Sequence, residues 1–415
     1  MIVCKFGGSS VADAAQIKKT ENIVKSNSDR CIVVVSAPGK RNKQDEKITD
    51  LLYACQKLAA AGADFYPVWN KIKGRYLEIA SVLGVTSAIS SELDIVEKKF
   101  AERCTADYAA SRGEYLNARL IASYFGFEFI DCADVVRLGE RGEILPETYA
   151  LVAARTDSSK KYVVPGFYGK GPDGNIKTFS RGGSDITGSI FAKAVKADVY
   201  ENWTDVSGIY TADPRITQNG KPIAEITYTE MREMAYLGAN VFHEEAIAPA
   251  KDAGISINIK NTNRPDDAGT FIRAGRDSSD IPLVGVAGKC GFARITVCKS
   301  CGCMKDRLAA YGLSPAFRLD GIDTVNIFIS DPGTVDWKKL ESDLNVSCMT
   351  GLAVVGVVGQ GLGCCCTSAV KILAALQAGG VSVRSFNYGG SAVSAVFSVP
   401  ETEYEKAVDI VASLI

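Results

Sequence analysis

The sequence predicts an α/β protein in which a doubly wound, mainly parallel sheet domain over residues 1–280 precedes two small α+β units over residues 281–415. Three observations carry this expectation. Up to residue 280, apolar runs of strand length alternate with segments of helical period, the order that builds βαβ units. The runs themselves, "CIVVVSAP" above all, are nearly continuous in Val and Ile, as in strands covered by helices on both faces. Beyond "RAGRDSSDIP" the strands become short and alternating, and a compact order of strands and helices recurs.

Each element follows from its own pattern. "MIVCKF" is a short apolar strand, and "SSVADAAQIKKTENIVKS" carries apolar residues at helical spacing. After "CIVVVSAP" and a charged loop, "ITDLLYACQKLAAAG" is expected to be helical, as is most of residues 65–104. "FEFIDCADVV", "KYVVPGFYG", "ADVYENWTDV" and "ISINIKNT" are expected strands, with helices such as "SDITGSIFAKAVKA" between them. In the tail, "FARITVC" and "DTVNIFIS" fall in a first unit of about 289–346. "LAVVGVVG", "SAVKILAALQAGGVSVRSF", "SAVSAVFSV" and "EYEKAVDIVASLI" form a second of about 347–415, with a strand from about 282–288.

At 415 residues the chain exceeds a typical single domain, and 47% apolar with 23% charged residues is ordinary globular composition. A formal net charge of −1, from 47 basic and 48 acidic residues, gives no electrostatic footprint for nucleic acid or an anionic membrane, so neither partner is expected. No apolar run approaches the ~20 residues of a membrane span, and "MIVCKFGG" lacks the features of a signal peptide, so a cytoplasmic protein is expected. The 13 cysteines include "CGC" and "CCC" but no paired C-x-x-C spacing, and His243 is the only histidine. The cysteines read as reduced, small apolar residues, and no metal ligands are assigned among the side chains.

The chemistry concentrates in loops at strand-to-helix junctions, where open α/β sheets bind ligands. In "KFGGSS" the Gly7–Gly8 pair lets backbone N–H groups approach an anion, and Lys5 supplies a positive charge suited to phosphate. A turn followed by a serine cap would explain the same letters. "SRGGSDITG" repeats the device with Arg181, which can grip a carboxylate in two parallel hydrogen bonds, and with Ser184 and Asp185 at the helix start. In "NWTDVSGIYTADPR", Thr204 and Asp205 suit polar ligand edges, Tyr210 a flat base and Arg215 a phosphate, while "IKNTNRP" puts Lys260 at a strand end. Together these fit a phosphoryl-transfer site, which works by positioning and charge neutralisation.

"KFGGSS", "SRGEYLNA", "FSRGGSDITGS", "ENWTDVSGIYTADPR", "VFHEEAIAP" and "INIKNTNRP" closely resemble, in order and spacing, the monofunctional aspartate kinases of the amino-acid kinase family. The resemblance covers residues 1 to about 275. It implies transfer of the γ-phosphoryl of MgATP to the side-chain carboxylate of L-aspartate, a pathway toward lysine, threonine and methionine, and a pair of ACT regulatory domains in the tail. By resemblance, Lys5, Gly7, Gly8 and Ser9 form the phosphate loop, with Ser9 where threonine is usual. Thr49 contacts the substrate, Glu114 meets its ammonium and Arg181 its α-carboxylate, while Gly183, Ser184 and Asp185 line the acceptor. Thr204, Asp205, Tyr210, Asp213 and Arg215 fall on the nucleotide side, and Lys260 is the second phosphate-facing lysine. Lys5, Asp185 and Lys260 are the residues expected to carry the reaction.

The resemblance also implies a homodimer through residues 283–415 and an amino-acid effector, lysine and/or threonine, at the ACT pair. Ala316 stands near the position where lysine-inhibited relatives carry an acid, with Asp320 and Asp323 further on. Two other classes remain open: a kinase of the same fold acting on acetylglutamate, glutamate, carbamate or UMP, and a catalytically silent amino-acid sensor.

Overall fold

The computed structural model describes every residue except 181, 240–243, 280, 300–303, 332 and 365. Arg181, His243 and the "CGC" cysteines therefore lie outside the described residues. The chain divides into two compact units: Met1–Ile209 with Phe242–Ala274, and Tyr210–Val241 with Gly275–Ile415.

In the first unit the sheet order is Glu128–Phe129, Tyr162–Pro165, Arg30–Val35, Ile2–Phe6, Val199–Thr204, Ser256–Asn261, Thr270–Arg273. All these neighbours pair in parallel except the last two strands, which are antiparallel. The central strands are buried because helices cover the sheet. Arg30–Val35 is buried along its whole length, and Ala106–Phe125 contributes Leu116, Leu120 and Ile121 to the core beside it. That helix is capped at its start by Thr105, whose hydroxyl accepts from the Tyr108 N–H, and ends at a left-handed Gly126. Residues 65–104 form two helices, Tyr66–Leu83 and Thr86–Ala101, as expected.

Register decides which side chains share a face. Lys5 lies opposite Asn202, and Phe6 lies opposite Trp203, which in turn lies opposite Lys260. Side chains alternate along a strand, so Lys5 and Asn202 share one face while Phe6, Trp203 and Lys260 share the other.

Two expected strands differ. "FEFIDCADVV" keeps only Glu128–Phe129 extended and then forms the one-turn helix Cys132–Val135, because the Asp131 carboxylate accepts from the Ala133 N–H at 2.9 Å and caps it. "KYVVPGFYG" splits into Tyr162–Pro165 and Tyr168–Lys170, because Phe167 takes a left-handed φ of 84°.

In the second unit an antiparallel sheet has the order Pro315–Asp320, Thr324–Ser330, Gly285–Cys298, Ser347–Val358, Ser394–Pro400, Ser385–Asn387. It is a pair of ACT-type α+β units sharing one sheet. The Gly285–Cys298 strand serves both halves: its first residues lie opposite Val354–Val358, and Phe292–Cys298 lies opposite Thr324–Ser330. Helices Met304–Ala309 and Trp337–Leu344 bury Leu308 and Leu340 over one half. Thr367–Ala378 and Tyr404–Ala412 bury Ile372, Leu376, Val408 and Val411 over the other.

Residues of the 210–241 segment belong with this sheet. The Val286 N–H donates to the Thr211 carbonyl at 2.7 Å. Helix Tyr228–Leu237 opens with a Thr227/Glu230 capping box. Fully buried Glu230 pairs with Arg276 at 2.6 Å and accepts from the Gln360 N–H at 3.0 Å. Burial works against its charge, yet the hydrogen bonds from Arg276 and Thr227 hold its carboxyl below the ordinary value.

Candidate active site

The first strand ends at Phe6, and the chain turns through a short 3₁₀ helix, Gly8–Val11. The Gly7 N–H donates to the Trp203 carbonyl at 3.0 Å, and the Gly39 N–H donates to the Gly8 carbonyl at 2.9 Å. The glycines are needed for this close approach. A Cβ on Gly39 would lie 2.6 Å from the Gly8 carbonyl carbon, and one on Gly8 would lie 3.1 Å from the Ala37 oxygen. Buried Arg75 clamps both arms, donating from Nη2 to the carbonyls of Ala12 (2.9 Å) and Gly39 (2.7 Å) while Nη1 pairs with Asp45 at 2.7 Å. Ser10 Oγ and Thr262 Oγ1, 2.7 Å apart, tie the loop to the turn after Ser256–Asn261. Gly7, Gly8 and Ser9 remain partly accessible.

The second loop brings in the opposite charge. Gly182 has a φ of 58°, and helix Gly183–Val195 starts with Asp185 in its first turn. Lys5 Nζ lies 2.7 Å from Asp185 Oδ1, which also accepts from Asn202 Nδ2 at 2.6 Å. Tyr200 Oη donates to the Asp185 carbonyl at 3.1 Å. A Cβ on Gly183 would sit 2.5 Å from the Phe167 ring, and one on Gly166 would sit 2.6 Å from Ser184 Oγ, so helix start and loop are in backbone contact. The left-handed Phe167 is held by its N–H bond to Thr187 Oγ1 at 3.1 Å.

Lys260 reaches the same strand edge. Its Nζ donates to the Asp267 carbonyl at 2.9 Å and lies 5.3 Å from the centre of the Trp203 ring. Beside it, Thr204 Oγ1 donates to Asp205 at 3.2 Å, and the Thr262 N–H donates to the Thr204 carbonyl. Lys5, Thr204 and Lys260 thus lie toward the carboxyl ends of three successive parallel strands, Lys5 and Lys260 from opposite faces, with Asp185 brought to Lys5 by the helix start. Tyr210, Asp213 and Arg215 fall in the second unit. There Asp213 and Arg215 pair at 2.6 Å, with the Arg215 side chain 82% exposed, and that partner holds the Asp213 carboxyl below its ordinary value.

Glu114 projects from the long helix Ala106–Phe125 and is 6% exposed. Gly113 makes its position possible, because a Cβ there would lie 2.8 Å from the Ala37 Cβ. Asn117 Nδ2 donates to the Ser36 carbonyl at 2.8 Å and secures the same junction. Among the described residues Glu114 Oε2 is buried without a hydrogen-bond partner, and burial pushes the carboxyl up to about 8, only partly offset by the Ala37 N–H. A buried carboxyl with an unmet acceptor is suited to a cationic group of a ligand. Thr49 is half-buried in the first turn of helix Ile48–Ala60.

Sequence reasoning missed Asn202, Trp203, Ser10, Thr262, Gly39 and Arg75. Asn202 and Trp203 lay inside a quoted motif, but only sheet register shows what they touch. Arg75 sits in a helix with no marker of its role.

The sequence pattern described as "Amino acid kinase family" matches residues 1–261. Aspartokinase 3 of Bacillus subtilis is 36% identical over 98% of this chain and 97% of its own. Among solved structures, the aspartate kinase of Clostridium acetobutylicum, described as an allosteric enzyme, superposes with a TM-score of 0.93 at 41% identity over 99% of both chains. Escherichia coli aspartokinase III, solved with aspartate and ADP and again with lysine and aspartate, gives TM-scores of 0.74 and 0.80 at 25% identity over 100% of this chain and 99% of that one. The chain belongs to the amino acid kinase family and, within it, to the aspartokinases.

Proposed function

We propose that this chain transfers the γ-phosphoryl of MgATP to the side-chain carboxylate of L-aspartate, giving 4-phospho-L-aspartate and ADP. The observation that carries the reading is the set of charges at the strand edge: Lys5 paired with Asp185, and Lys260 two strands away, across Val199–Thr204. A carboxylate oxygen attacks the γ-phosphorus as the bond to the β-phosphate oxygen breaks. The acceptor is already anionic at neutral pH, so no base is required. What the reaction needs is relief of repulsion between two anions, and Lys5, Lys260 and the backbone N–H groups of Gly8 and Ser9 supply it, with the Gly7 N–H holding the loop to the Trp203 carbonyl.

Glu114 meets the aspartate ammonium with its unpartnered buried oxygen, and Arg181 takes the α-carboxylate. Thr49, Gly183 and Ser184 line the acceptor side. Thr204, Asp205, Tyr210, Asp213 and Arg215 serve the nucleotide. Among the described residues no three Asp, Glu, Cys or His side chains form a metal-sized cluster. That donor set fits Mg²⁺ bound largely through phosphate oxygens, with Asp185, beside Lys5, as the carboxylate that would help hold it. When bound, Mg²⁺ would neutralise charge on the transferred group. The complex of E. coli aspartokinase III with aspartate and ADP supports both ligands.

The product feeds lysine, threonine and methionine formation, and the ACT pair binds lysine, alone or with threonine, in a homodimer built through residues 283–415. The lysine complex of E. coli aspartokinase III favours that effector. The expected acid is replaced by Ala316, whose carbonyl accepts from Tyr236 Oη at 2.5 Å, and Asp320 is paired with Arg318 at 2.8 Å. Asp323 is thus the carboxylate assigned to the effector ammonium. A coupled ADP-release assay over an amino-acid panel, repeated with lysine, threonine and both, tests the reading. Turnover with L-aspartate alone supports it, and turnover without it, or with another acceptor only, overturns it.

A further inference from the structure

The two site lysines are held in different ways. Lys5 is paired with a carboxylate at 2.7 Å. Lys260 donates instead to the backbone carbonyl of Asp267, whose own carboxylate is taken by Arg264 at 3.1 Å. What faces the Lys260 ammonium is the Trp203 ring, with its centre 5.3 Å from Nζ. The contact is built into the sheet, because Trp203 and Lys260 are register partners on adjacent parallel strands.

The ring is itself fixed from several sides. Trp203 is 1% exposed, and Phe6, its register partner on the other neighbouring strand, stacks on it at 5.8 Å and 14°. Its Nε1–H donates to Glu201 Oε2 at 2.9 Å. Glu201 accepts two bonds from Arg30 (2.8 and 3.1 Å) and one from the Cys4 thiol (3.3 Å). The Arg30 guanidinium carbon lies 5.2 Å from the Trp203 ring centre. The buried Glu201–Arg30 pair neutralises itself and leaves a hydrogen-bond acceptor aimed at the indole N–H.

We propose that Trp203 is a positioning residue for Lys260: its face holds the ammonium at the phosphate end of the site without neutralising it, and the Glu201–Arg30 pair locks that face in place. A carboxylate in the same position, as Asp185 is for Lys5, would hold the lysine equally well but would offset part of the positive potential offered to the transferring phosphoryl group. An aromatic quadrupole attracts the cation and leaves its net charge whole. The proposal rests on Lys260 acting in phosphoryl transfer as proposed above.

Ring fluorination tests it, because each fluorine weakens the negative face with little change of shape. The chain has 3 tryptophans, so biosynthetic replacement by mono-, di- and trifluorotryptophan is practical. Turnover should fall stepwise, by about twofold per fluorine and about tenfold in all, with the aspartate KM and the melting temperature little changed. In Trp203→Phe made with the same tryptophans, the dependence on fluorine should vanish. A flat series, or an equal slope in Trp203→Phe, overturns the proposal. Lys260→Met separates it from its foundation. If that variant loses turnover while the fluorine series is flat, only the role of Trp203 fails. If that variant keeps turnover, the reading of Lys260 fails with it.

Discussion

In the first glycine loop Gly7 has ordinary extended backbone (φ −70°, ψ 165°), and the need for glycine arises at Gly8, where the backbone of Gly39 lies against it. In the second loop Gly182 is left-handed (φ 58°), and Gly183 is pressed against the Phe167 ring. Both loops read Gly-Gly-Ser, yet one excludes a side chain by contact and the other partly by handedness. The charges differ as well: the first loop brings Lys5, the second brings Asp185, and the two meet at 2.7 Å. Among the described residues, similar letters at two strand-to-helix junctions therefore bring opposite charges together.

Lys5→Ala should break the pairing of the two loops most severely. Removing one preorganised charge should lower kcat by about 100- to 1000-fold. The fold should survive, because Asn202 still holds Asp185. Circular dichroism with steady-state kinetics checks this, and near-normal turnover would refute the site.

Gly39→Ala attacks the first loop alone. A Cβ 2.6 Å from the Gly8 carbonyl carbon must push the Gly7–Gly8 turn aside. A displacement near 1 Å is worth about 10- to 100-fold in kcat/KM for ATP. The aspartate KM should change far less, and an equal rise in both KM values would show that the loops cannot be perturbed separately.

Glu114 sharpens the comparison from the acceptor side. Its carboxyl is pushed up to about 8 by burial, so it is mostly neutral at pH 6 and ionises as pH rises. An ammonium prefers the ionised form, so the aspartate KM should fall by about tenfold per unit between pH 6 and 8 and then level off. Stability runs the other way. The native carboxyl keeps a proton that the unfolded chain releases near its ordinary value of 4.5. This group's contribution is therefore fully present below that value and is lost as pH rises to about 8. Glu114→Gln should flatten the KM profile and reduce the loss of stability over this window, both readable by kinetics and thermal melts across pH.

The smallest effect separates the two loops by backbone alone. Gly182→Ala places a Cβ on a left-handed residue and should cost about 1–2 kcal/mol. Gly7→Ala meets only ordinary contacts, with Lys5 Nζ at 3.5 Å, and should stay within about 0.5 kcal/mol. Denaturant melts of the two variants decide this, and equal costs would refute the assignment of handedness to the second loop.

Much of the fold was legible because its causes are local. The continuous apolar run of Arg30–Val35 marks a strand buried on both faces. The short alternating strands of the tail mark the change to small α+β units, and the two glycine loops mark strand-to-helix junctions. Where a local cause was overlooked, the expectation failed in a traceable way. The Asp131 cap turned an expected strand into a helical turn.

What sequence windows could not carry is contact between distant residues. Asn202 meets Asp185, Trp203 carries Lys260, and the Cys4 thiol donates to Glu201, 197 positions away, only because Ile2–Phe6, Val199–Thr204 and Ser256–Asn261 lie side by side in a particular register. The sequence by itself determined the elements, the loop glycines and the charged residues offered at the strand ends. The tertiary structure decided which charge is paired with a carboxylate, which rests on an aromatic ring and which buried oxygen is left without a partner. The reason is physical: strand propensity and capping act within a few residues, whereas sheet order and register set side-chain distances across the whole chain.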